Sequence, residues 1–312
     1  MVNVLTRPNA LALIPPEVSR EILAGVRKQS VAMQLMKQLP NMGTDKREQP
    51  VLTMLPIADF VNGDQGMKVT TNAAWDKKVM VAGEIAAVVP IPQAVLDDAD
   101  YDIWGQIRPL LEEQFGRVFD RQVFSERNAK APSEWPDPLI PATIASGNVV
   151  ALGTGIDPAE DFNQLLAILE QDSYTVSGIA AQERLRASLR GMRNTTGDPI
   201  YQPFTATTPA SIYSVPTQFV APGTWNVAQA LAICGDWSNA VYAMRQDITI
   251  QRFDTGVISD DDGKVVYNLL QQDMIAIRAV MRLAWQVSNP IDIDRQDTNR
   301  TYFPFAVLTP ST

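Results

Sequence analysis

Between positions 275 and 287 every second residue is apolar: Ile275, Ile277, Ala279, Met281, Leu283, Trp285 and Val287. Arg278, Arg282 and Gln286 fall on the other side. Successive side chains of an extended chain point to opposite faces, so a period of two predicts a long strand where propensity alone would allow a helix. A different pattern fills residues 102–126. There Trp104, Ile107, Leu111, Phe115, Val118 and Gln122 recur at intervals of three and four, and Ile103, Leu110, Phe119 and Val123 widen the stripe. That spacing predicts an amphipathic helix about 37 Å long, at about 1.5 Å per residue. Pro109 lacks a backbone donor and predicts either the start of regular helix or a kink.

The remaining pattern is more broken. Pro15, Pro16 and Glu17 make a helix start, after which Val18, Ile22 and Val26 share one face; Gly25 and Ser30 weaken the continuation and Pro40 ends it. So thin an apolar stripe suits packing on another body. VLTMLP, between Pro50 and Pro56, and VMVAGEIAAVVPI, over 79–91, both predict strands. Between them Asn62-Gly63 is a hairpin-turn dipeptide, with Gly66 near it and Phe60, Val61, Val69, Thr70 and Thr71 on its flanks. A two-stranded ribbon of this length has little core of its own, so something outside it must hold it. A short helix is expected over 93–99. The proline-rich stretch from Trp135 through Pro138, with PLIP and SGN after it, reads as a connector and a subdomain boundary. Beyond it a helix over 158–171 (Phe162, Leu165, Leu166, Leu169), a strand over 174–180 and a basic helix over 182–193 make a compact α/β subdomain.

Composition narrows the chemistry. Of 312 residues 46% are hydrophobic, enough to bury a large core without staples. One cysteine, Cys234, excludes an internal disulfide framework and a thiolate-rich metal site. The absence of histidine removes Ser-His-Asp and Cys-His nucleophile systems and the usual zinc and haem ligand sets. A net charge of -9 argues against a surface built to neutralise phosphates. No charged start with an apolar run opens the chain, and no stretch reaches the roughly 18 apolar residues of a spanning helix. The expectation is a soluble, unexported chain with no cofactor and no membrane partner.

Four constellations invite a chemical reading, and each has a plainer one. Asp260-Asp261-Asp262-Gly263 lacks the alternating ligands and terminal glutamate of a calcium loop and reads as a solvated turn. Gly153-Thr154-Gly155 lacks the Lys-Ser/Thr of a phosphate loop. Asp97, Asp98, Asp100 and Asp102 could form an acid/base or metal site, but carboxylates favour a helix N-terminus. Arg184, Arg186, Arg190 and Arg193 form a basic face whose commoner fate is ion pairing.

The order of these parts, an arm, a ribbon, a long helix, an inserted α/β unit and a return to long strands, resembles the Hong Kong 97 major capsid fold of tailed bacteriophages. Local segments strengthen the likeness: EIAAVVPIP with Leu96-Asp97-Asp98, Tyr101-Asp102-Ile103-Trp104 and Ile107-Arg108-Pro109, then LRGMRNTTGDPIY, GDWSNAVYAMRQDI and NLLQQDMIAIRAVMRLAWQVSNP. The resemblance implies an α+β fold with an N-terminal arm (1–49), an extended E-loop hairpin (50–90), a peripheral P-domain with its spine helix (91–145), an axial A-domain (146–245) and a return to P-domain strands (246–312). It implies a shell subunit, not an enzyme, whose site residues are contacts. Phe60, Val61, Asn62, Gly63, Lys68, Trp75, Lys77 and Lys78 would touch a neighbour from the ribbon, near whose tip the three lysines are placed. Val18, Ile22 and Val26 would do so from the arm, while Trp104, Ile107, Leu111, Phe115 and Val118 form the spine-helix core. Implied partners are further copies in hexamers and pentamers, a portal, scaffold or decoration proteins, and enclosed DNA bound without sequence preference. An encapsulin-like compartment would share the fold, and a carboxylate enzyme centred on residues 97–102 is the alternative of another class.

Overall fold

The computed structural model describes residues 25–26, 29–54, 74–94, 103–153, 155, 158–191, 201–202, 210–260, 262–288 and 302–311. The alternating segment is the strand β14 (Met274–Val287), antiparallel to β11 (Ala240–Phe253) on one side and to β4 (Gly83–Pro92) on the other. The short β1 (Lys37–Gln38) runs parallel to β11 and completes a four-stranded sheet. One face of β14 carries the buried Ala279, Met281, Leu283 and Trp285, while Arg278 is exposed on the other, as a period of two requires.

The long helix α2 (Ile103–Phe124) covers that apolar face. Leu111, Phe115, Phe119, Val123 and Phe124 join Met281, Leu283 and Trp285 in one core, and the Phe119 ring lies 6.3 Å from that of Tyr242 on β11. Pro109 is the seventh helical residue, and the helix runs through it. Phe124 ends the helix between Trp225, at 5.1 Å, and Trp237, at 5.9 Å.

A seven-stranded sheet has the order β5 (Val149–Ala151), β15 (Phe305–Thr309), β10 (Ala232–Gly235), β6 (Gly178–Gln182), β9 (Val215–Val220), β8 (Ser211–Ile212), β7 (Tyr201–Gln202). Its central strands β15, β10 and β6 are buried on both faces. Ala180, Ile233, Phe305 and Val307 point into the core shared with α2, while Ile179, Ala181, Cys234, Ala306 and Leu308 meet Phe162, Leu165 and Leu169 of α4 (Pro158–Gln171). Strands buried on both faces read as continuous apolar runs, as here.

Several boundaries differ from the sequence pattern. Residues 79–91 form two strands in two sheets: β3 (Ala74–Val81) pairs with β2 (Lys46–Met54), and β4 starts again at Gly83. Trp135 fixes the switch, since its Nε1 donates to the Val81 carbonyl at 2.6 Å and a Cβ on Gly83 would lie 2.6 Å from its Cζ2. The PLIP segment is helical, in α3 (Leu139–Ser146), where Pro138 is the N-cap and Pro141 falls in the tolerant first turn; Gly147 at φ 86° ends it. β6 starts at Gly178, four residues late, because Tyr174 N still bonds the Leu169 carbonyl of the preceding helix. The basic helix shortens to α5 (Leu185–Gly191), since Gln182 belongs to β6.

Candidate assembly surfaces

Several of the exposed large apolar side chains gather on one two-stranded piece. Beyond the end of β11, β12 (Val257–Ser259) and β13 (Val265–Asn268) form a hairpin on which Val257, Val265, Val266 and Tyr267 are exposed, and Leu270 after it is 74% exposed. Such a hairpin buries little of itself, so among the described residues these groups have no apolar cover, and a patch of this kind marks an interaction surface. The sequence reading did not single them out. Three apolar residues in a row without alternation, Val265 to Tyr267, were the available signal.

A second surface lies between α2 and β4, which is the edge of its sheet. On α2 Leu110 is 61% exposed and Val118 is 42% exposed, whereas Val88, opposite Arg278 in the strand pairing, is exposed on the face of β4 turned away from α2. Val118 was expected in the helix core. The buried stripe instead advances by four, Leu111 to Phe115 to Phe119 to Val123, which leaves Val118 at its margin. There it lines a groove of about 680 Å³ with Gly83, Ile85, Gln122 and Trp135. Gln122 is buried, its Oε1 accepting from Asn128 N at 2.7 Å. Of the other expected core residues, Leu111 and Phe115 are buried and Ile107 packs at the margin, while the Trp104 side chain lies outside the described residues.

The ribbon is tied to its own subunit at its base. Lys78 Nζ donates to the Val287 carbonyl at 2.9 Å, Gln286 Nε2 to that of Val79 at 3.3 Å, and Met80 packs with Val241, Ala243 and Ala284 on the outer face of the four-stranded sheet. Lys77 bonds Glu48 at 2.9 Å. Lys77 and Lys78 pair with Pro50 and Gln49 and so belong to the stem, a correction to their placement near the tip. Trp75 lies opposite Leu52 in the backbone pairing; Phe60, Val61, Asn62, Gly63 and Lys68 lie outside the described residues. In the arm, Val18 and Ile22 also lie outside them, whereas Val26 is fully buried beside Leu111 and Phe115 within its own subunit.

The chemical candidates resolve into structure where they are described. The amides of Gly153 and Gly155 both donate to the Asp161 carboxylate at 2.7 Å, so the chain's own carboxylate fills that cradle. Asp260 Oδ1 accepts from Asp262 N and Lys264 N, closing the hairpin turn. Arg186 pairs with Glu183 and its guanidinium lies 4.2 Å from the Phe219 ring centroid. Cys234 is fully buried, and burial pushes its thiol far above the usual range. Residues 95–102, with the four aspartates, lie outside the described residues. Among the described residues no group of three or more Cys, Asp or Glu could hold a metal, and no helix is long and apolar enough to cross a membrane.

Comparison with known proteins agrees with a protein of contacts. The major capsid protein of Staphylococcus phage 80alpha is 26% identical over 297 residues, covering 92% of this chain and 85% of that one. A solved chain from Microbacterium phage Oxtober96 is 32% identical, covers 91% of both chains and superposes with a TM-score of 0.76. One from Mycobacterium phage Bobi is 26% identical, covers 100% of this chain and 96% of that one, and gives a TM-score of 0.74. The model described as "Phage capsid family" matches residues 11–293, and the chain therefore belongs to the phage capsid family.

Proposed function

We propose that the chain is the major capsid protein of a tailed phage, assembling into the hexamers and pentamers of an icosahedral head around double-stranded DNA. Family membership from residue 11 to residue 293 carries this reading. The exposed hairpin and the α2–β4 surface supply its physical reason, because a filled body with apolar edges gains by repeating its contacts around a closed shell. Contacts of modest strength let misplaced subunits dissociate, while closure makes the product stable.

In this reading the β2–β3 ribbon is the stem of the E-loop, α2 is the spine helix, the four-stranded sheet with the β12–β13 hairpin is the P-domain, and the seven-stranded sheet with α4 and α5 is the A-domain. Of the stretch 57–78, the part beyond that stem, 57–73, would reach a neighbouring subunit. A portal and scaffold or decoration proteins are the further partners, and a net charge of -9 suits a wall that encloses DNA without gripping it. The work lies in the virion and assembly in the host cytoplasm. The relatives named above come from phages, which favours a head over a cargo compartment. Electron microscopy of the purified protein tests the proposal. Closed icosahedral shells are expected; a monomer or dimer persisting at high concentration would overturn it.

A further inference from the structure

The arm meets α2 at three positions spaced by four. A Cβ on Gly25 would meet the end of the Glu112 side chain, and a Cβ on Gly116 would lie 3.3 Å from Ser30 N, so Gly116 lets the arm backbone approach the helix. At the third position stands Asp120. Its Oδ1 accepts from Ser30 Oγ at 2.5 Å and from Ala32 N at 3.0 Å, and its Oδ2 accepts from Val31 N at 3.0 Å. Ser30 Oγ in turn accepts from Met33 N at 3.1 Å as N-cap of the helix α1 (Val31–Leu35). Ser30 and Asp120 are both buried. The apolar contacts of Val26, Val31, Ala32 and Met33 hold the arm but specify no register; hydrogen bonds do.

We propose that Asp120 is the positioning residue of the N-terminal arm: its two carboxylate oxygens fix the register of residues 30–32 on α2, and so the point from which the chain before Gly25 departs toward a neighbouring copy. The second half rests on the shell reading above; the first does not.

Charge lets the seat be read. On α2 the nearby charged groups pair locally, Arg108 with Glu112 and Arg117 with Glu113 along the helix and Arg121 with Glu126 just past its end. Glu84 on β4 lies 4.0 Å from Arg282, and α1, α3 and β9 contain no charged residue. Among the described residues no cation lies beside Asp120, and burial pushes it up to about 6 against the pull of its three hydrogen bonds. A group raised in the docked state stabilises docking in acid and loses that contribution as pH rises through about 6. On protonation the Ser30 hydroxyl can reverse and accept from the acid.

Hydrogen exchange on the full unassembled chain tests this, with rates corrected for intrinsic pH dependence. Amides of residues 31–36 in the unmodified protein should open about tenfold less often at pH 5 than at pH 7. In Asp120→Asn, which cannot titrate and turns donors toward donors, the pH difference should vanish and protection of 31–36 should fall about tenfold or more, with β10 and β14 unchanged. Ser30→Ala should shift the same amides in the same direction by less. Unchanged arm protection in both variants, or an equal loss in β10 and β14, would overturn the assignment. Particle images separate the second half: malformed or open shells from folded Asp120→Asn support it, and normal shells with an unprotected arm refute it. If the unmodified chain forms no shells, the shell reading fails and the exchange result stands.

Discussion

Asp161 shows what a single side chain does here and how much of it was legible. It sits in the first turn of α4, fully buried, and takes the amides of Gly153 and Gly155. The glycines drew notice in the sequence as a weak anion cradle, and the anion was eight and six residues further on. Nothing in the glycines alone distinguishes an internal carboxylate from a ligand. Asp161→Ala would remove the acceptor of two amides, of which that of the exposed Gly153 can turn to water, and should cost about 1–2 kcal/mol, read from denaturant unfolding of the unassembled subunit. Asp161→Asn keeps one acceptor and should cost less. Cys234 gives a second expectation at this scale. Fully buried and with its thiol raised by burial, it should resist a thiol reagent in the folded subunit and react once the chain is unfolded.

At the scale of elements, β14 and α2 were readable because each has two unlike faces, and period then reports structure directly. The break inside residues 79–91 was not readable. Both halves are apolar, and the change of sheet at Gly83 depends on Trp135, 52 positions away in the chain. The margin of the α2 stripe was misread for a related reason. Three-residue and four-residue steps both fit a helix of 3.6 residues per turn, and only the packing partners decide which way the stripe drifts. Neighbouring positions on α2 therefore make a sharp pair. Phe119→Ala removes a fully buried ring and should cost about 3–5 kcal/mol in thermal or chemical unfolding of the subunit. Val118→Asp, on the exposed margin, should leave subunit stability within about 0.5 kcal/mol yet raise the protein concentration at which shells appear. If Val118→Asp assembled normally, the α2–β4 surface would not be a contact.

For the whole molecule the question is where a subunit whose described residues form two large cores and one small one keeps its remaining apolar surface. Composition could not answer, since a chain that is 46% hydrophobic fits an enzyme as well as a shell protein. Exposure does answer in part, because Val257, Val265, Val266, Tyr267 and Leu270 gather on one projection outside these cores. Full burial of one large apolar side chain is worth roughly 1.5–3 kcal/mol. Several per copy, repeated around a closed shell, make assembly steeply dependent on this patch while folding hardly depends on it. Val265→Asp combined with Leu270→Asp should therefore leave the unfolding midpoint of the isolated subunit nearly unchanged. In sedimentation and electron microscopy the same variant should stop at small oligomers where the unmodified chain closes into particles. Added salt should not restore closure, because screening weakens repulsion between carboxylates without returning the lost apolar contact. Closed particles from the double variant at the original concentration would place the decisive contacts elsewhere, with the ribbon and arm carrying the shell and the hairpin left to bind something other than a further copy.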